Sequence, residues 1–481
     1  MRGDCSAEKR YPMSVSAPIA SERTSPGADP LLDRMDQLII EQEKVMLART
    51  EKSQAMRAEA RTVLAGGIAS SWQDAPPCAV WIERGEGSKI WDVDGTEYSD
   101  FHGGYGVGLV GHAHPAIVAA VRDRVTKGTH FAQPTEDAIV VARELTKRFG
   151  LPLWRYNNSG TEATMDAFHL MRVATGRSKV IKVEGSYHGH HDAAQVSVFP
   201  SLEEAGSAQA PRSVGGQGIP DPMAQLTVIV PFGDLAAVER ALATHKDEIA
   251  GMIVEPVMMN IGLIPPPPGY MADLKDLLHR HGAWLAFDEV KTGLGLAPGG
   301  ATELLGVTPD LLCTAKALGG GLPCGAIGGV PELMNLIADR TYEQVGTFNG
   351  NPLTMAAARA TLQEVLTQEA YAHLDTLRDA QVKGCEDVLK RHQLPGFVRA
   401  FGAKGAVIFT DNLSNYRDFL DYDDQWGNAH WLYQHNNNVF LPPWGKCEQW
   451  TMSVQHTMED VSRFVANLET FARALRQGVP A

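Results

Sequence analysis

The sequence lacks the marks of several function classes. It has six cysteines in 481 residues (Cys5, Cys78, Cys313, Cys324, Cys385 and Cys447), and none stands in a C-x-x-C pair. Scattered thiols in a long chain argue against a disulfide framework and a zinc site, and for a reducing compartment. No apolar run approaches the ~20 residues that span a bilayer. The opening stretch, MRGDCSAEKRYPMSVSAPIASERTSPGADP, has no apolar core of the secretory kind. A cytoplasmic protein with no membrane partner is expected. Basic charge is also short: 43 Lys and Arg against 57 Asp and Glu give a formal net charge of -14, with no basic stripe. That argues against nucleic acid as the main partner.

What is present is an ordinary globular composition, 44% hydrophobic and 21% charged, at a length that suits two or three domains. Residues 1–30 are rich in Ser, Pro, Ala and charge and read as a disordered tail. From 31 to 64, apolar residues recur at helical spacing without glycine or proline, which predicts one or two amphipathic helices ended by Ala65-Gly66-Gly67. A small antiparallel meander follows, with strands over 79–84, 89–92 and 97–101 and turns at GEG and VDGT. Helices are predicted over 115–127 and 136–149. The middle alternates helix-like segments with apolar strands over 179–184, 226–230, 251–257, 283–290, 311–315 and 325–330. A long helical stretch over 352–391 leads to a C-terminal α/β segment. That segment has strands over 405–410 and 437–443 and a final helix from 458 to about 477.

Apolar strands alternating with helices imply a largely parallel sheet covered on both faces, with ligands at the carboxyl ends of its strands. Glu184, Glu255, Asp288 and Lys316 all stand at such ends. Lys316 is the single charge in LLCTAKALGGGLPCGAIGG, residues 311–329. A lysine there either reaches solvent past the strand or is bound covalently, since an unpaired buried ammonium is costly. Asp288, in LAFDEV, is either a helix cap or a site carboxylate. NNSGTEA, residues 157–163, is a plain helix N-cap or a phosphate cradle. GSYHGHHD, residues 185–192, carries His188, His190 and His191 without the i, i+4 spacing of metal ligands, so no metal is expected.

The order of these motifs is more specific than any one of them. It runs S-G-T-E-A, Y-H-G, E-P, D-E-V-x-T-G, K-A-L-G-G-G-x-P-x-G-A-x-G-G and G-T-F-N-G-N-P-L. In this order the chain resembles the class III aminotransferases that use pyridoxal 5'-phosphate (PLP), enzymes of fold type I. WDVDGTEYSDF, GHAHP, NNSGTEATMDA and GSYHGHHD are similar to their glutamate-1-semialdehyde 2,1-aminomutase branch. The resemblance implies an α/β large domain over 127–372, with a mostly parallel seven-stranded sheet. It implies a small α/β domain from 65–126 and 373–481, and it leaves the helical extension over 31–64 uncovered. It further implies that Lys316 forms the internal aldimine, Asp288 pairs with the pyridine nitrogen, and Tyr187 stacks on the ring opposite Val290. Ser159, Gly160 and Thr161 would cup the phosphate. His188, Glu255 and Asn260 would complete the cofactor site, the last two near the ring hydroxyl. Thr347 would reach the phosphate from the other subunit of a homodimer with shared active sites.

Some stretches depart from the aminomutases. GGIASSWQ, residues 66–73, has Ser71 and Trp72 where they carry an arginine for the substrate carboxylate. Lys446 and Arg155 are candidate replacements. Tyr105 stands for a tryptophan. Lys291 and Leu294 stand for a methionine and a phenylalanine, and the loop after His191 differs in composition. Glu448 remains near a substrate-facing position. An intermolecular aminotransferase is therefore expected, passing through pyridoxamine phosphate between an amine or amino acid and a carbonyl acceptor. Trp72, Tyr105 and Trp444 point to a bulky or apolar acceptor. The aminomutase reaction is the alternative, and a PLP racemase or epimerase the next. Intact Lys316, Asp288 and Tyr187 speak against a catalytically dead scaffold.

Overall fold

The computed structural model describes residues 30–443, 446–447 and 449–477. The predicted tail up to residue 29, and the Trp444 and Glu448 assignments, lie outside these residues. Two helices open the described chain, Pro30–Arg49 and Glu51–Ala60. The first buries Met35, Leu38, Ile39 and Met46 and packs on the C-terminal helices Asp424–Asn436 and Met458–Arg476. Asn436 Nδ2 donates to the Gln42 carbonyl (2.8 Å), and Arg49 donates to Asn438 Oδ1 (2.8 Å). The first N-terminal helix therefore shares the core of the chain's far end.

The strands are β1 (Ile82–Glu86), β2 (Lys89–Asp92), β3 (Glu97–Asp100), β4 (Leu153–Asn157), β5 (Lys179–Val183), a short hairpin β6 (Gly206–Ser207) and β7 (Ala210–Pro211), β8 (Thr227–Val230), β9 (Ile249–Val254), β10 (Trp284–Asp288), β11 (Leu311–Ala315), β12 (Gly325–Gly329), β13 (Phe397–Phe401), β14 (Lys404–Ile408), β15 (Val439–Phe440) and β16 (Gln449–Thr451). One sheet has the order β4-β12-β11-β10-β9-β5-β8. Only β12 runs against the others, pairing antiparallel with β11 and β4. The strands β9, β11 and β12 are buried along their whole length, which explains their unbroken apolar runs.

Two expectations are corrected. β4, LWRYN, was absent from the predicted strands because Arg155 interrupts its apolar run; as an edge strand it leaves Arg155 exposed. The long helical stretch expected over 352–391 is helical but divided. A helix at Pro352–Ala360 passes into a wide turn at Thr361–Val365, and Thr367 caps a new helix, Gln368–Arg391. The Thr367 hydroxyl accepts from Ala370 N (3.3 Å), supplying a helix start inside an apparently continuous pattern.

Because all strands of the sheet but one are parallel, their carboxyl ends gather on one edge. Asn157, Val183, Val254, Asp288 and Ala315 end their strands there, so Asn158, Glu184, Glu255 and Lys316 follow on the same edge. Of two smaller sheets, β1-β2-β3-β15 joins segments from both ends of the chain, and β13-β14-β16 comes from the C-terminal segment alone. No helix among the described residues is long and apolar enough to cross a membrane.

Asp460 ties these ends together. It is fully buried, and its carboxylate accepts from Ser88 Oγ (2.9 Å), Ser99 Oγ (2.8 Å) and Thr457 N (2.9 Å) and pairs with Lys89. Burial opposes the charge, but the Lys89 ammonium and the other donors hold its carboxyl well below the usual aspartate range. A depressed folded pKa contributes stability above the unfolded pKa and loses it as pH falls through the folded one. Asp460→Asn is therefore expected to cost about 2 kcal/mol at pH 7 in urea unfolding. That difference shrinks as pH falls below about 4.

Candidate active site

Asp288 ends β10 and Lys316 directly follows its neighbour β11, the two strands being in parallel register with Asp288 opposite Cys313. Asp288 is 5% exposed and both its oxygens are held. Oδ2 lies 2.7 Å from His188 Nδ1, and Oδ1 accepts from Val290 N (2.9 Å). Lys316 leaves its strand with φ of 47°, a left-handed conformation that a side-chain-bearing residue rarely adopts. Tyr105 (58°) and Leu294 (57°) share it. Strain of this kind gathers at functional sites. The Lys316 side chain remains partly accessible. Burial pulls its amine below the usual lysine range, against the upward pull of Asp288 and Glu255.

Glu255 sits one strand further along. Its carboxylate accepts from Tyr187 N (2.9 Å), Met259 N (3.0 Å) and Asn260 Nδ2 (3.3 Å). Burial, helped by the Asp288 charge, raises its pKa. Asn260 in turn accepts from Lys291 Nζ (2.9 Å) through Oδ1, so these three residues form one hydrogen-bonded chain. Burial, with Lys316 adding like charge, pulls the Lys291 amine down to about 8.

A helix N-terminus closes another side. The helix Gly160–Thr175 starts from Ser159, whose hydroxyl accepts from Glu162 N (3.2 Å) while Glu162 accepts from Ser159 N (3.1 Å). This reciprocal cap leaves the Gly160 and Thr161 N–H groups at the helix mouth, where an anion is favoured. Thr161 Oγ1 accepts from His190 N (3.2 Å), which fixes the 187–190 turn against the helix. A Cβ at residue 160 would lie 2.7 Å from Val290 Cγ1, so this approach requires glycine. Asn158 Nδ2 donates to Asn349 Oδ1 (2.9 Å), which docks the 346–350 turn beside the cap. Thr347 on that turn is exposed.

Aromatic rings form a wall over Tyr187. The Trp72 ring lies 5.9 Å from that of Tyr187 and 5.1 Å from that of Tyr105, both edge-on, and Tyr105 Oη donates to the Trp72 carbonyl (2.8 Å). Two candidates for binding a substrate carboxylate are placed elsewhere. Lys446 Nζ donates to the Leu420 carbonyl (2.7 Å), and Arg155 lies exposed on edge strand β4. Glu184, also at the sheet edge, is clamped by Arg417 through two bonds of 3.0 and 2.7 Å, an arrangement that joins segments rather than leaving a free carboxylate. The residue that sequence reading missed is Lys404. It opens β14, is 2% exposed, and shares with Lys316 and Lys291 a region of like charge. Its only sequence signal is a single charge beside an apolar run, GAKGAVIFT, at the head of the run where Lys316 stands at the end of one.

A family model described as aminotransferase class-III matches residues 70–444. A glutamate-1-semialdehyde 2,1-aminomutase 2 of Brevibacillus brevis is 37% identical over 433 residues, covering 89% of this chain and 99% of that protein. Among solved structures, an omega-transaminase from Sphaerobacter thermophilus superposes with a TM-score of 0.84 at 32% identity, over 88% of this chain and 98% of its own. A glutamate-1-semialdehyde-aminomutase from Pseudomonas aeruginosa, solved in complex with PMP, superposes with a TM-score of 0.84 at 29% identity, over 92% and 99% of the two chains. The match takes in every residue of the edge cluster, from Trp72 to Lys404, and the chain belongs to the aminotransferase class-III family.

Proposed function

We propose that this chain is an intermolecular aminotransferase of fold type I. It moves an amino group from a donor amine or amino acid to a separate carbonyl acceptor, with PLP as its cofactor. The observation that carries the reading is the Lys316 amine, lowered in pKa by burial, one strand from the Asp288–His188 pair.

The residues fit the cofactor group by group. A lysine amine whose pKa is lowered by burial suits an aldehyde. A buried carboxylate oriented by His188 and Val290 N suits a protonated pyridine nitrogen. The helix mouth at Ser159, Gly160 and Thr161 suits a phosphate. Tyr187 and Val290 suit the two faces of a flat ring, and Glu255 with Asn260 suits its hydroxyl. When bound, PLP supplies the electron sink for the bond broken at the substrate Cα. Lys316 Nζ takes the Cα proton and returns it, and Asp288 keeps a proton on the ring nitrogen. His188 orients Asp288. Trp72 and Tyr105 keep water from the Tyr187 side and line the substrate's approach.

The main sheet lies entirely between residues 153 and 329, while the sheet β1-β2-β3-β15 combines both ends of the chain and β13-β14-β16 lies in the C-terminal segment. This supports a large unit over 127–372 and a small one from 65–126 and 373–481. A homodimer is supported by the 345–348 turn, where Val345 and Phe348 are 82% and 58% exposed beside Thr347. Thr347 is assigned to the phosphate held by a second copy. Cys78, Cys313, Cys324, Cys385 and Cys447 are buried free thiols, which supports a cytoplasmic protein. A second reading, the aminomutase reaction, is favoured by the name carried by the Brevibacillus relative.

The purified protein is expected to absorb visible light through bound PLP, and alanine, glutamate or a simple amine is expected to bleach that band. If only diaminopentanoate or glutamate semialdehyde perturbs it, the aminomutase reaction is the function. Lys316→Ala is expected to lower turnover by about 10²–10⁴-fold. Borohydride then no longer adds the cofactor's mass to the chain, as read by mass spectrometry. Asp288→Asn is expected to lower kcat by about 10²–10³-fold in single-turnover assays at saturating cofactor.

A further inference from the structure

Lys404 is a buried amine with no carboxylate partner among the described residues. It is 2% exposed, and its one hydrogen-bond partner among the described residues is Thr451 Oγ1, at the long distance of 3.5 Å. The charges that act on it are Lys291 and Lys316, both of its own sign. A lysine placed for packing alone would be replaced by methionine at no electrostatic cost, so an unpaired buried amine calls for an explanation.

Its surroundings show where the amine points. A Cβ at Gly106 would collide with Lys404 Nζ and lie 3.7 Å from Lys316 Cδ, so both lysine chains converge on the one glycine. A Cβ at Gly295 would lie 2.7 Å from Lys404 Cε. Gly106 follows Tyr105 of the aromatic wall, and Gly295 follows Leu294. The stem of Lys404 therefore runs between two glycines from β14 towards the reactive lysine. Lys291, the third amine of the group, is already bonded to Asn260.

We propose that Lys404 is a specificity-determining residue that binds a carboxylate of the amino substrate, with Lys291 adding to the positive field. This rests on the aminotransferase reading and names its substrate class: amino acids and keto acids rather than simple amines. Two lysine amines without a guanidinium fork act as point charges, so they would hold a carboxylate by charge rather than by bidentate geometry. Bringing a carboxylate to Lys404 supplies an opposite charge that no described residue offers it. The burial that lowers the amine's pKa is then offset by its new partner.

The test uses the PLP-loaded protein and the variant Lys404→Met. Propionate and inorganic phosphate are titrated against the cofactor's visible band as an equilibrium binding readout. Alanine and isopropylamine, which share a framework and differ by the carboxylate, are compared as donors. Propionate is expected to perturb the wild-type band, and its Kd to rise at least tenfold in Lys404→Met. The alanine to isopropylamine ratio of kcat/KM is expected to fall at least tenfold, mostly through KM. The variant should retain its cofactor band and a Tm no lower than wild type, because an unpaired buried charge has been removed. Equal propionate binding in the two proteins, or an unchanged donor ratio, overturns the proposal. So does phosphate binding as tightly as propionate. A wild-type protein that binds PLP and uses isopropylamine but ignores both carboxylates overturns it too, while leaving the aminotransferase reading intact. Absence of any visible band overturns that reading itself.

Discussion

The placing of a buried amine and a buried carboxylate at the ends of adjacent parallel strands, close enough for the charge of one to act on the other, is the constraint around which the site is arranged. Lys316 follows β11 and Asp288 ends β10, and the strand register sets their offset. In water the lysine would stay protonated and unreactive as a nucleophile. Burial lowers its pKa, while Asp288 and Glu255 keep the charged form from becoming prohibitive. The balance needs both: a drier site would leave the carboxylates unsupported, and a wetter one would restore the ordinary lysine.

The neighbouring structure maintains that balance. Asp288 has a donor on each oxygen, so its position does not depend on a bound ligand. Glu255 receives two backbone N–H groups and Asn260, which satisfies a carboxylate that burial would otherwise neutralise. Close backbone approach at Gly160 brings the helix mouth against Val290. The C-terminal sheet then adds Lys404 to the same region, from a segment far along the chain.

Much of this was legible without coordinates. The apolar strands of the main sheet were readable because buried parallel strands carry long apolar runs, and the polar residues ending them stood out against that background. The edge strand β4 was not readable, because an edge tolerates Arg155 in its middle. The break before Thr367 was hidden, since a threonine inside an apolar-periodic stretch looks the same whether it caps a helix or continues one. Glu184 shared the signature of Glu255 and Asp288, yet Arg417, more than two hundred residues later, takes its carboxylate.

By itself the sequence determined the parallel α/β sheet, the order of its motifs, and Lys316 and Asp288 as the residues to watch. Those features are local: periodicity, turn residues and strand ends are written in contiguous stretches. Only the tertiary structure decided which charges are satisfied and which are left facing the site. Lys446 found a backbone carbonyl, Arg155 remained at the surface, and Lys404 came to lie beside Lys316. The physical reason is that desolvation and counterion supply are set by atoms from distant segments, here residues 106, 291, 295, 404 and 451. No local pattern carries that information.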